Sequence, residues 1–229
     1  GYAPMGTVRQ PDGSKPCADL RQLALIGLLC NDAELHESDD QWHVTGDPME
    51  GALLALAYKS VLSVQPAQSS PPRPDPAPFG SAHAHMATLH DTPDGGALIA
   101  VKGAPEQVLA MCTSAQGTDG TARLPVDEAV WAARVDDIAA EGERVLGFAF
   151  ARLPARPARL GAAELQGLSF AGLIGFIDPP RPEAIAAVAD CQSAGIRVQM
   201  ITGDHAATAA AIAAQLGLAA QPVVATGAE

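Results

Sequence analysis

The stretch that most constrains the fold lies near the end of the chain: Gly195-Ile-Arg-Val-Gln-Met-Ile-Thr-Gly-Asp204. An apolar β-type run from Ile196 to Ile201 stops at Thr202, and Gly203-Asp204 opens an alanine-rich segment that reaches Leu216. A buried strand that ends in a hydroxyl, a glycine and a helix-capping aspartate puts polar groups at the carboxyl edge of a parallel sheet. Open α/β sheets hold phosphates and substrates at that edge. Before it, Pro182 to Ala194 reads as a helix that Gly195 closes; after it, Gly217 closes the second helix and Val223-Val224 suits a further strand. This order is that of a βαβ unit.

The pattern upstream of Asp178 is different. Asp19 to Cys30 carries Leu20, Leu23, Ile26 and Gly27 at helical spacing, and Trp42 to Thr45 is a short strand. Asp47-Pro-Met-Glu50 starts a helix that runs to about Val61: Asp47 caps, Pro48 fits the first helical position and Glu50 completes a capping box. Six prolines at 66, 71, 72, 74, 76 and 78 rule out regular helix or central strand there, so 66–78 reads as an exposed loop. Met86 to His90 and Gly96 to Lys102 flank a turn-rich spacer and form a β-hairpin. Helices follow from Ala104 to about Met111 and from Asp127 to Glu141, then strands from Val145 to Leu153 and from Leu168 to Ile177. Helices mixed with hairpins predict an α+β domain over 1–177, an antiparallel sheet with flanking helices, and the βαβ order predicts a partial α/β Rossmann-like segment over 178–229.

A formal net charge of −12 argues against nucleic acid or an anionic membrane surface as partner, because phosphate-rich surfaces attract basic patches. It leaves room for a nucleotide, which needs only a few local cations and backbone donors. No run approaches the roughly 18–20 apolar residues that span a bilayer. Cys17, Cys30, Cys112 and Cys191 include no CxxC pair and read as reduced thiols. His83 and His85 form an HxH pair near His90 without a Cys or carboxylate to complete a metal set, so no metal site is expected.

Several residues have two readings. Phe79 is a strand anchor, or an aromatic face for a base. Lys102 ends an apolar strand before Gly103 and is a solvated strand-end lysine, or a cation for a nucleotide; the glycine would let a ligand approach the backbone. Asp47 and Glu50 read as a capping box from the residues alone. Arg144 pairs with Glu141 or Glu143, or its fork holds phosphate. Thr202 and Asp204 are a strand end and a helix cap, or phosphate contacts.

The motifs tip these readings. Gly46-Asp-Pro-Met-Glu-Gly-Ala-Leu53 resembles the "GDPTEGAL" element of the cation-transporting P-type ATPases, in the form used by the calcium and sodium pumps. Pro78 to Ala87 is similar to their "PFDS…RMA" strand, Lys102-Gly-Ala-Pro-Glu106 matches "KGAPE" without change, and Arg144 to Ala149 is similar to "RVLAxA". Asp178-Pro-Pro-Arg181 and Met200-Ile-Thr-Gly-Asp204 resemble the hinge and phosphorylation-domain elements. Six such elements stand in the family's order.

The resemblance implies a nucleotide-binding domain over 1–177 and a hinge with part of a haloacid-dehalogenase-like phosphorylation domain over 178–229. It implies that Phe79, Glu50, Asp47, Lys102, Gly103 and Arg144 bind ATP or ADP. Asp178, Pro179, Pro180 and Arg181 would form the hinge, and Thr202, Gly203 and Asp204 would stand around the phosphoryl site. It implies magnesium in the full-length protein, and as partners the actuator, phosphorylation and transmembrane domains at the cytoplasmic face of a membrane. The DKTGT aspartate, the GDGxND segment and the TGES loop do not occur in these residues. The expectation is therefore a soluble fragment that binds ATP without catalysis. Ala84 stands where the family usually has Lys or Arg, and Gly80 where it has an acidic residue, departures that bear on affinity and not on the binding mode. Two rivals remain: a degenerate scaffold that no longer binds nucleotide, and a dehalogenase-like phosphatase with a cap domain. The latter needs a DxD or DxT nucleophile loop that residues 1–20 lack.

Overall fold

Helix α1 (Ala18–Leu29) places Leu23, Ala24 and Ile26 on one buried face. A hairpin follows, β1 (Glu34–Ser38) against β2 (Gln41–Thr45), antiparallel with His36 opposite His43. Helix α2 (Pro48–Ser60) begins with proline at its first position and buries Leu53, Leu54, Ala55 and Ala57 against α1 and the hairpin. This computed structural model describes residues 2–8, 18–39, 41–60, 84–117, 123–203 and 205–225. The proline-rich loop at 66–78, Phe79, Gly80, His83, Cys17 and Asp204 lie outside those residues.

The main sheet has six strands in the order β3-β4-β7-β8-β5-β6. They are β3 (His85–Asp91), β4 (Ala97–Gly103), β5 (Cys112–Gln116), β6 (Arg123–Pro125), β7 (Arg144–Leu153) and β8 (Leu168–Phe176). Strand β4 lies between β3 and β7, antiparallel to both, and all seven of its residues are buried. The β3–β4 turn holds Gly95 at φ +83, and the Thr92 hydroxyl donates to Asp94. Helix α3 (Pro105–Ala110) follows β4 directly and packs Val108 and Leu109 inward. Phe148, Phe170, Leu89, Ile99, Val101 and Leu168 are fully buried. Each large apolar side chain buried in this way contributes roughly 1.5–3 kcal/mol to the core.

The sheet is mixed, not antiparallel as expected: β5 pairs with β8 in parallel. The reason is connectivity, since β5 and β8 are joined through β6, α4 and β7, not through a tight turn.

The chain divides into two compact units, one of residues 1–126 and 146–173, the other of residues 127–145 and 174–229. In the second, α4 (Glu128–Ala140) packs with α6 (Ala206–Gln215), and the Thr208 hydroxyl donates to the Glu143 carbonyl at 2.8 Å. Helix α5 (Pro182–Ser193) is tied to the turn after α6 by Gln192, whose Nε2 donates to the carbonyls of Gly217 (3.0 Å) and Leu218 (3.3 Å). Gly195 at φ +76 and Gly217 at φ +75 follow these two helices in the left-handed conformation that ends them.

The segment expected as a strand from Ile196 to Ile201 joins no ladder, and Val223-Val224 joins none either. Ile196, Ile201 and Val223 are exposed. An apolar run becomes a strand only beside a partner, and none of the described residues pairs with it. Helix α6 also starts later than expected, with His205 at its N-cap, where Nδ1 accepts from the Ala207 N–H at 3.4 Å.

Candidate functional site around Lys102 and Glu50

The site grows from the six residues Gly46 to Gly51. Gly46 turns the chain at φ +112, a conformation that a side chain strains, and an added Cβ would lie 3.0 Å from Ala33 Cα. Asp47 then caps α2: its Oδ1 accepts from the N–H groups of Met49 (2.8 Å) and Glu50 (3.2 Å). That satisfies donors which a helix start leaves without partners.

Glu50 does not close the capping box. Its carboxylate turns away from the cap, and each oxygen takes a distant donor. Oε1 accepts from Lys102 Nζ at 2.5 Å and Oε2 from the Asp32 N–H at 2.9 Å. The sequence pattern was right about Asp47 and wrong about where the Glu50 side chain goes. The physical reason is Lys102, in the interior strand β4 with its side chain only 8% exposed. An ammonium buried without a counter-charge is costly, and the Glu50 carboxylate, itself 15% exposed, supplies it. So Lys102 is not the solvated strand-end lysine of the alternative reading.

Cys30 lies beside this pair. Its Sγ donates to the Met86 carbonyl at 3.4 Å, and burial pushes the thiol up to about 12 against the opposing pull of the Lys102 ammonium. It is an inert core thiol; Cys112 is half-buried, and burial raises it to about 12 as well.

Gly103 has a packing reason that the sequence did not reveal. A Cβ there would lie 2.5 Å from the Ala84 carbonyl oxygen and 2.7 Å from His85 Cα, so β3 can cross close only because residue 103 is glycine. Ala84 itself has φ 47, and its carbonyl accepts from the Ala104 N–H at 2.9 Å.

The structure thus brings Glu50 and Lys102 together, with Asp47 one helical turn from Glu50 and Gly103 next to Lys102. Arg144 is exposed at the first position of β7 and counts with the second unit. So do Asp178, Pro179, Pro180 and Arg181, which run without regular structure between β8 and α5, and Thr202 and Gly203. Phe79 and Asp204 lie outside the described residues. Sequence reasoning missed Asn31 and Asp32, although an asparagine just past an apolar helix is a usual stop signal.

Chemically, the pair can serve a ligand edge that has both a donor and an acceptor. Each Glu50 oxygen keeps a second lone pair, and the Lys102 ammonium has three N–H donors. Among the described residues no three His, Cys, Asp or Glu side chains cluster to hold a metal ion.

Residues 19–183 match the family model of the P-type ATPase cytoplasmic domain N. A cation-transporting ATPase of Synechocystis is 44% identical over 232 residues, covering 96% of this chain and 25% of that protein. The chain belongs to the cation-transporting P-type ATPases. A calcium-transporting ATPase of Bacillus subtilis is 36% identical, over 95% of this chain and 25% of its own length. A sodium/potassium-transporting ATPase alpha subunit of Artemia franciscana is 36% identical, over 86% and 21%. The chain therefore spans about a quarter or less of the P-type ATPases it matches, and the family match covers every residue of the Lys102–Glu50 site. No described helix is long and apolar enough to cross a membrane.

Proposed function

We propose that these residues are the ATP-binding part of an ATP-driven cation pump, acting at the cytoplasmic face of a membrane. The observation that carries this reading is the buried Lys102–Glu50 pair, which joins the "KGAPE" and "GDPMEG" elements at one end of the sheet. In this reading Glu50 accepts from the adenine amino group, and Lys102 donates to a ring nitrogen or a phosphate oxygen. Asp47 holds the first turn of α2 and stands near the base, Gly103 keeps β3 close, and Phe79 stacks on the adenine face. Arg144 binds phosphate.

Residues 1–177 form the nucleotide-binding domain, and 178–229 form the hinge and part of a haloacid-dehalogenase-like phosphorylation domain. Asp178, Pro179, Pro180 and Arg181 flex between them. Thr202, Gly203 and Asp204 stand around the phosphoryl group. The exposed run from Ile196 to Ile201 then takes its ladder partners from the rest of the pump, whose actuator, phosphorylation and transmembrane domains are the partners of this chain. Magnesium bound with the phosphates neutralises their charge in the complete protein. Among the described residues no three His, Cys, Asp or Glu side chains gather into a set for that ion.

The test is a titration of the labelled chain with ATP and ADP, without magnesium, followed by NMR. Amides of Val101 to Ala104 and of Phe79 to Met86 shift with a Kd of roughly micromolar to millimolar, and Phe79→Ala weakens binding about 5- to 150-fold with the fold intact. Silence of these amides at saturating millimolar ATP would refute the assignment.

A further inference from the structure

Asn31 stands outside every motif above. It follows α1 and is 6% exposed. Its Nδ2 donates to the carbonyl of Gly27 at 3.1 Å and to that of Glu50 at 2.9 Å, and its Oδ1 accepts from the Ala33 N–H at 2.9 Å. One residue on, the Asp32 N–H donates to Glu50 Oε2.

The loop therefore holds Glu50 twice. Asn31 holds the backbone carbonyl of its helical turn, and Asp32 holds its carboxylate. The Oδ1 bond to Ala33 closes an Asx-type turn, and that turn aims the Asp32 N–H. Gly46, 3.0 Å from Ala33 Cα through its missing Cβ, allows the loop to sit this close.

We infer that Asn31 is a positioning residue for nucleotide recognition, acting through Glu50. This rests on the ATP reading above. Lys102 by itself holds only Oε1 and leaves the carboxylate free to pivot about that contact. The loop adds the second point and so fixes the direction of the remaining lone pairs before a base arrives. Pre-set geometry of this kind raises affinity because the ordering cost is met in folding, not in binding.

The test uses the full chain, with Asn31→Ala, Glu50→Gln and the double variant. Asn31→Ala raises the Kd for ATP about 5- to 50-fold, the range expected when a buried hydrogen bond is lost. In the Glu50→Gln background the same substitution changes Kd by less than about twofold, because the residue it acts through is already altered. Without nucleotide, Asn31→Ala shifts the Glu50 carboxylate carbon resonance and speeds exchange of the Lys102 ammonium protons. Equal losses of affinity in both backgrounds would overturn the inference, as would an unmoved Glu50 carboxylate in a folded variant. If Asn31→Ala does not fold, Asn31→Ser tests the hold on the Glu50 carbonyl alone: serine can accept from the Ala33 N–H and keeps the turn but is too short to reach the Glu50 carbonyl. It raises Kd by about 2- to 10-fold in the wild-type background and less than about twofold with Glu50→Gln, and no rise in a folded Asn31→Ser variant overturns the inference. If the wild-type chain binds no ATP, the ATP reading fails, and the carboxylate resonance alone decides whether Asn31 positions Glu50.

Discussion

Gly51 faces Val44 across the contact between α2 and β2. A Cβ at residue 51 would lie 2.3 Å from Val44 Cγ2 and 2.7 Å from Cγ1. Alanine is the better helix former by about 1 kcal/mol, yet this overlap forces α2 off the hairpin and costs about 1–3 kcal/mol. We expect Gly51→Ala to lower the urea midpoint, and Val44→Ala to restore at least half of the loss when the two are combined. A Gly51→Ala chain as stable as wild type would mean that the contact is looser than drawn. The motif around Gly51 was legible residue by residue up to a point. Asp47 as cap and Pro48 at the first helical position follow from local chemistry alone. The direction of the Glu50 carboxylate does not, because its partner Lys102 is 52 residues away and the capping-box pattern contains no information about it. Asn31 was missed for the same reason. Its hydrogen bonds go to Gly27, Ala33 and Glu50, and the last of these only the fold brings near.

Elements with an apolar run, a cap or a turn signal were legible: α1, α2, the β3–β4 hairpin, α4, β7 and β8 lie within a few residues of their expected places. Those that were missed lack such a signal. Strand β1 is exposed apart from the half-buried Leu35, β5 reads Cys-Thr-Ser-Ala-Gln, and β6 is three exposed residues ending in proline. Such strands exist because a neighbour offers a ladder, and the expected strand at Ile196 to Ile201 is the converse case. Two elements are also anchored by thiols. Cys30 ties the end of α1 to β3, and Cys112 opens β5 with Sγ donating to the Val108 carbonyl at 3.1 Å. Both thiols are raised by burial from 9.0 to about 12. The unfolded chain then loses these protons near pH 9 while the folded chain keeps them. Stability due to the neutral thiols is complete below pH 9 and declines as pH rises from 9 towards 12. The decline approaches about 1.4 kcal/mol per pH unit for the buried Cys30 thiol and is smaller for the half-buried Cys112. Urea unfolding at pH 8 and pH 10.5 should display it, and Cys30→Ala with Cys112→Ala should flatten it. An equal loss in that double variant would assign the decline to other groups.

At the scale of the whole molecule, the two units differ in how their backbone is held. The first has the six-stranded sheet around β4, whereas the second has three helices and an extended run from Ile196 to Gly203 outside any ladder. Amides in β4 should exchange slowly and those of 197–201 within the shortest measured times, since backbone outside a ladder opens at little cost. Slow exchange across 197–201 would reveal a ladder partner. The same contrast bears on chemistry. Phosphoryl transfer needs a nucleophile in line with the γ-phosphate and a cation to carry its charge. The aspartate of the DKTGT motif does not occur in the 229 residues, and the described acidic residues form no metal cluster. Asp178 is exposed in the irregular segment after β8, without a sheet edge or a glycine turn to aim it. The purified chain should therefore bind ATP and neither hydrolyse it nor become phosphorylated. Incubation with γ-labelled ATP and magnesium, followed by an acid quench, gives the answer. Label that survives acid and is released by hydroxylamine would place an acyl phosphate on one of these carboxylates. It would also revive the self-sufficient phosphatase, with Asp178 the first residue to replace.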